Sequence, residues 1–143
     1  MAIPKLPQGT INRLRGTVSV VDYPGLNVLA SNLGKAGISL ALGATGTPIP
    51  TMTGLTNAPE PYIPATLTIN LLRTQTLSGN WRSQLENNAV IGDIEIRTDS
   101  SVFPDYSLSN CMITSAGDLN MDGSNADYVV TITGTYYINN GLY

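Results

Sequence analysis

From Thr66 to Leu71 the chain alternates with a period of two: Leu67, Ile69 and Leu71 face one way, Thr66, Thr68 and Asn70 the other. That pattern predicts a strand with one buried face. The period then lengthens to four. Leu77, Trp81, Leu85 and Ala89 fall on one side of a predicted helix over Leu77–Ala89, and Arg82, Gln84, Glu86 and Asn87 fall mostly on the other. Thr76 or Ser78 is expected to supply the N-cap oxygen, and Gly92 to stop the helix. Alternation then returns, with Ile94 and Ile96 set against Asp93, Glu95 and Arg97. The stretch Thr66–Arg97 thus reads as strand, helix, strand. Trp81, the single tryptophan, is expected to anchor the helix to the core together with Leu77 and Leu85; a ligand-binding indole is the other reading.

The same reading extends along the chain. Residues 1–14 carry Pro4, Pro7 and Gly9 and predict an extended arm rather than a helix. Ile3, Leu6, Ile11 and Leu14 give that arm apolar groups to bury against a partner. Arg15–Asp22 is a predicted strand, and Pro24–Gly25 a turn. Leu26–Leu33 fits a short helical turn or a bridging strand equally well. Gly34–Gly37 is expected to break the chain before a short strand over Ile38–Leu42. Gly43–Pro64 is rich in proline and threonine and nearly aperiodic. A long loop of this kind is functional or flexible. Because it keeps Ile49, Met52 and Leu55, it reads as a segment, with room for a β-hairpin, that orders against another subunit; the plainer reading is a loose surface loop. In Ser107–Ala116, simple alternation groups Leu108, Asn110, Met112 and Thr114 against Ser109, Cys111 and Ile113. Asp122–Gly123 is a hairpin-type signal. Asp127–Asn139 is a long strand with Tyr128, Val130, Ile132, Tyr136 and Ile138 on one face and Val129, Thr131, Thr133, Thr135 and Tyr137 on the other.

Composition narrows the function. The chain has 143 residues, which fits one domain (1–143) with a real core. Charged residues make up only 12%, about half the usual share. Few charges leave little repulsion between copies, so the surface suits strands that pair with other copies. A net charge of −3 with scattered basic residues argues against electrostatic nucleic-acid binding. The absence of histidine removes the commonest general base and metal ligand. The single cysteine, Cys111, is expected as a buried filler. Residues 1–8 have no apolar signal core, and no apolar run reaches the ~20 residues of a membrane span. Synthesis in a cytoplasm without membrane insertion is therefore expected.

Candidate chemistry is sparse. Asp93, Glu95 and Asp99 are close in sequence, and paired acids can do acid–base work or bind a hard cation. Here they lie on a regular strand beside Arg97, and a solvated strand face is the favoured reading. Asp118–Asp127 faintly resembles a calcium loop but lacks its spacing and terminal glutamate. No phosphate loop, GxSxG or CxxC is present. A non-enzyme with no cofactor and no metal is expected.

The order of a proline-containing arm, then EPYIPATLTINLLRTQTLSGNWRSQLENNAVIGDIEI, then YSLSNCMITSAGDLNMDGSNADYVVTITGTYYIN resembles a tail tube protein of contractile-tailed, myovirus-type bacteriophages. The likeness covers residues 61–143 well and the first half more loosely. It implies a mainly β fold, an antiparallel sandwich or barrel of the tail-tube type with one flanking α-helix. It also implies a structural virion protein whose hexameric rings stack into the inner tail tube, the channel for DNA ejection. Implied partners are further copies of the chain, the tail sheath, baseplate and tail terminator proteins, and double-stranded DNA in passage. The implied location is the virion tail, after assembly in the host cytoplasm. The arm (residues 1–14, with Ile3 and Leu6) and the loop 43–64 (with Ile49, Met52 and Leu55) would contact neighbouring subunits. The loop departs from the family in its proline and threonine content. In a tube, the faces bearing Asp93, Glu95 and Arg97 and bearing Thr131, Thr133 and Thr135 would line the lumen, where an acidic or neutral wall lets DNA slide. Arg97 would then need a masking acid from an adjacent copy. The competing reading is a non-catalytic carbohydrate-binding β-sandwich module, with Trp81 and the C-terminal tyrosines as its platform.

Overall fold

The computed structural model describes residues 15–103, 105–119 and 121–142, the Lys35 side chain excepted. The arm, with Ile3 and Leu6, lies outside the described residues. The strands are β1 Gly16–Val20, β2 Leu33–Leu42, β3 Gly46–Thr51, β4 Gly54–Pro59, β5 Tyr62–Leu72, β6 Val90–Thr98, β7 Asp105–Ala116 and β8 Asp127–Tyr137, and the helix α1 is Thr76–Asn87. Six strands form one sheet in the order β1-β6-β7-β8-β5-β2, and β3 and β4 form a separate hairpin. All neighbours in the large sheet run antiparallel. The fold is mainly β with one helix, and its antiparallel sheet curls into a half-barrel.

Alternation decides which face of the sheet is buried. Leu67, Ile69 and Leu71 of β5 and Val130 and Ile132 of β8 all point into the core, as their period predicts. Leu26 and Val28, from the connection after β1, cover them together with Trp81 from α1. Trp81 is 1% exposed, and Leu77, Leu85 and Ala89 pack partly buried beside it. The four-residue stripe packs the helix against the core. Burying an indole of this size is worth more than the helix's own propensity, since short helices are marginal alone.

Several local expectations are corrected. The N-cap is Gln75, without a side-chain cap bond; Thr76 is already helical, and the Ser78 hydroxyl donates to the Leu72 carbonyl at 2.7 Å. The helix stops at Asn88, before Gly92: the Asn88 N–H donates to the Gln84 carbonyl at 2.7 Å, and the Asn88 side chain accepts from the Val90 N–H at 3.1 Å. Gly92 sits inside β6 with φ +78°, and Asn110 sits inside β7 with φ +52°. Both mark register shifts in the β6–β7 pairing. Each inserts an extra residue, so buried positions jump by three: Ile91 to Ile94, and Leu108 to Cys111. The simple alternation over 107–116 fails for this reason, and Leu108 joins Cys111 and Ile113 in the core, whereas Met112 is exposed. The run 34–37 does not end a segment. It lies within β2, whose register with β5 shifts between Leu33 and Ile38. The 26–33 segment is two 3-10 turns joined by an isolated bridge from Val28 to Val18. Asp122 closes an Asx turn, accepting from the Ser124 and Asn125 N–H groups at 3.1 and 2.9 Å, within the longer connection between β7 and β8.

Candidate functional site

The two sets of residues expected on separate lumen faces share a single face. Opposite residues in an antiparallel pair project to the same side, so the register can be followed across the sheet. Thr131 lies opposite Thr68, Thr133 opposite Thr66 and Thr135 opposite Pro64. Ser39 and Ala41 of β2 stand opposite Thr68 and Thr66. On the other side Thr135 meets Ser109, Thr133 meets Met112 and Thr131 meets Ser115. Ser107 then faces Glu95, and Asp105 faces Arg97. Ser19 and Thr17 of β1 complete the rows. Small hydroxyl side chains thus run across five of the six strands on the side away from the core, and β6 contributes Asp93, Glu95 and Arg97 to it.

Charge on this face is concentrated at the β6–β7 end. Arg97 Nε donates to Glu95 Oε1 at 3.0 Å, and this bond with the Glu95 charge raises the arginine's pKa further. Asp105 directly opposite adds to the effect. The acid that masks Arg97 therefore belongs to the same chain, and none from an adjacent copy is needed. Asp93 has a structural duty: its Oδ1 accepts the Asn110 N–H at 3.2 Å, tying the two bulges together. Among the described side chains, Asp93, Glu95 and Asp105 against Arg97 leave the β6–β7 end of the face net acidic.

The face is not polar throughout. A shallow depression of about 530 Å³ is lined by Tyr62, Pro64, Val90 and Met112 beside Thr114, Thr133 and Thr135. Tyr62 and Tyr137 are cross-strand partners and are 57% and 59% exposed. The sequence carried the signal for Tyr62, two residues from Pro64 in the outward parity of β5. Met112 was hidden by the β7 bulge. Trp81 takes no part in any tyrosine platform, since it is buried on the opposite side of the sheet.

The hairpin β3–β4 supplies a second feature. Both of its strands are exposed along nearly their whole length, and only Ala58 and Pro59 are partly covered. Ile49, Met52 and Leu55 are 50%, 105% and 69% exposed. Of the expected 43–64 loop, Gly46–Pro59 is thus a two-stranded ribbon, whereas Tyr62–Pro64 already belong to β5, with Ile63 buried in the core. Pro48 and Pro50 are spaced by two, so their missing donors fall on one edge of β3, which a strand tolerates when that edge faces away from its partner. The base is tethered where the Glu60 N–H donates to the Thr45 carbonyl at 3.1 Å and Asn139 Nδ2 donates to the Glu60 carbonyl at 2.6 Å.

The sheet edges differ. Along β1, Val18 exchanges two backbone bonds with Val28, at 3.0 and 2.8 Å, and the Val20 N–H donates to Asn27 Oδ1 at 2.9 Å. This edge is largely occupied by the chain itself. Among the described residues, β2 has no strand on its outer side.

Other titratable groups do structural work. Asp99 accepts from the Arg15 backbone N–H at 2.9 Å and from its guanidinium at 3.0 Å, which holds the carboxyl below the usual range. Burial, with the Asp93 charge second, pushes the Cys111 thiol up to about 11, as befits a core filler. Among the described residues no group of three or more metal-ligating side chains is gathered, and no helix is long and apolar enough to cross a membrane.

By its fold, then, the chain is a mainly β half-barrel closed by one helix. No protein-family model and no curated protein matches it. Among solved structures it is similar to the tube-terminating cap of the anti-feeding prophage, with 17% identity and a TM-score of 0.46 over 94% of this chain and 92% of that one. A likeness of that size leaves the function to be argued from this chain's own residues.

Proposed function

We propose that the protein is a structural, non-catalytic subunit of a contractile tail of the myovirus type, assembling as stacked hexameric rings into the inner tube through which DNA passes. The observation that carries this reading is the single hydroxyl-rich, net-acidic sheet face shared by Thr131, Thr133, Thr135, Glu95 and Asp93, with Arg97 neutralised in place. Such a wall repels or ignores the phosphate backbone, whose affinity for proteins rests on basic contacts. The exposed hairpin, with Ile49, Met52 and Leu55, and the outer side of β2, which no other described strand covers, are the surfaces offered to neighbouring copies. A two-stranded hairpin is marginal in water by itself, so a ribbon this exposed gains from a partner. Contacts of this kind are heterologous: around a ring they close, and from ring to ring they extend into a filament. The sequence resemblance to tail tube proteins supports the same reading, and with it sheath, baseplate and tail terminator partners in the virion tail.

Electron microscopy of the purified protein at rising concentration is the test. Rings or tubes with a central channel are expected. Dispersed monomers at every concentration, joined by glycan-dependent shifts of Tyr62 and Tyr137, would favour the carbohydrate-binding module instead.

A further inference from the structure

The chain turns sharply after β8. The Asn139 carbonyl accepts the Leu142 N–H at 2.9 Å, which puts Asn140 and Gly141 at the two central positions of the turn. Both are exposed. Among the described residues, neither the Asn140 carboxamide nor the Gly141 N–H has a hydrogen-bond partner. A Cβ added at Gly141 would meet nothing within 4 Å. The side-chain carbonyl carbon of Asn140 and the nitrogen of Gly141 are therefore free to approach one another, and glycine puts no side chain in the way. This is the sole Asn–Gly pair in the sequence.

Comparable positions are restrained. The nitrogen that follows Asn87 is that of Asn88, which donates to the Gln84 carbonyl at 2.7 Å. The Asn139 carboxamide is held to the Glu60 carbonyl at 2.6 Å. Asp122, which also precedes a glycine, accepts from the Ser124 and Asn125 N–H groups at 3.1 and 2.9 Å. Its carboxylate also has no leaving group to match ammonia.

We propose that Asn140–Gly141 is a self-modification site, and that its isoaspartyl product loosens the base of the β3–β4 hairpin. The Gly141 nitrogen attacks Cγ of Asn140. The new N–Cγ bond closes a succinimide, the Cγ–Nδ2 bond breaks, and ammonia leaves with the proton lost from Gly141. Water then opens the ring. Attack at Cγ gives aspartate; attack at the main-chain carbonyl carbon gives isoaspartate, with the chain now running through Cβ. Nothing is oxidised or reduced, and water is the only co-reactant.

The consequence follows from the neighbour. Asn139 stands at φ +55°, a left-handed conformation that the turn bond helps to hold. From there its side chain grips the Glu60 carbonyl, and the Glu60 N–H closes the hairpin base on the Thr45 carbonyl at 3.1 Å. An extra main-chain atom at position 140 pulls the Leu142 N–H away from the Asn139 carbonyl and frees Asn139 to leave Glu60. The inference concerns the single chain and does not rest on the tube reading.

The full chain, aged in mildly alkaline buffer, tests this by peptide mass spectrometry and labelling with an isoaspartyl methyltransferase. Conversion should concentrate at Asn140, with the isoaspartyl form prevailing. Gly141 lies outside the left-handed region and has open space around it, so Gly141→Val is accommodated. That variant should slow conversion about tenfold, equivalent to ~1.4 kcal/mol of barrier. Exchange of the Glu60 amide should quicken in the isoaspartyl fraction and stay unchanged in Asn140→Asp, which adds the charge without lengthening the chain. Conversion no faster at Asn140 than at Asn87, or unaffected by Gly141→Val, overturns the site. Glu60 exchange that is unchanged in the isoaspartyl fraction, or equally quickened by Asn140→Asp, overturns the loosening.

Discussion

Trp81 and Gly134 show how individual residues set the structure. Trp81 sits at 1% exposure between the helix and the sheet. Emptying a site of that size costs about 3–5 kcal/mol, so Trp81→Ala should lower the denaturation midpoint strongly; a variant with the wild-type midpoint would contradict the packing. The indole N–H has no hydrogen-bond partner among the described residues. Gly134 is set by its neighbour across the sheet. A Cβ there would lie 2.5 Å from Cys111 Sγ and 3.2 Å from Leu108 Cβ. Gly134→Ala should therefore destabilise by about 1–3 kcal/mol through overpacking. Adding Cys111→Ala should recover part of that loss, and a double-mutant cycle on urea midpoints checks the coupling. The sequence marked Trp81 as an anchor because its helical period is regular. It left Gly134 silent, because that constraint comes from a strand more than twenty positions away.

The elements most legible in the sequence are those whose neighbours impose no irregularity. β5, β8 and α1 follow their periods, and their buried positions agree with them. β6 and β7 depart because bulges at Gly92 and Asn110 face one another, bound through Asp93. A bulge is a property of a strand pair, and nothing in either strand alone announces its position. The hairpin was ambiguous for another reason: its prolines and uncharged polar residues erase any one-faced pattern, and it buries neither face in its own chain. Its hydrogen bonds are therefore open to water in the isolated protein. Amide exchange over Gly46–Pro59 should be fast in unassembled protein and should slow markedly in the assembly as Ile49, Met52 and Leu55 are covered. Equal exchange in both states would remove the hairpin from the interface.

For the molecule as a whole, the sheet separates two tasks: the inner face holds the core, and the outer face presents hydroxyls and a small acidic surplus. Both strands expected to face a lumen were legible from alternation. That they form one surface was not, because it depends on strand order and register. The same surface gives a charge test. Glu95 and Asp105 are the acids to change, since Asp93 also holds the bulges. With Glu95→Lys and Asp105→Lys, rings should still form, but DNA passage should slow, most at low ionic strength where screening is weak. Normal ejection at low salt would separate this face from the DNA path. The edges add a geometric constraint. With β1 largely occupied by Val28 and Asn27, β2 is the edge that no other described strand covers.

The most direct test of the account is where this face lies in an assembled particle. A reconstruction of tubes grown from the purified chain should place Thr131, Thr133, Thr135 and Glu95 on the wall of the bore, with α1 and Trp81 radially outside the sheet. The account is contradicted if those side chains lie on the outer wall, or if the assembly has no bore.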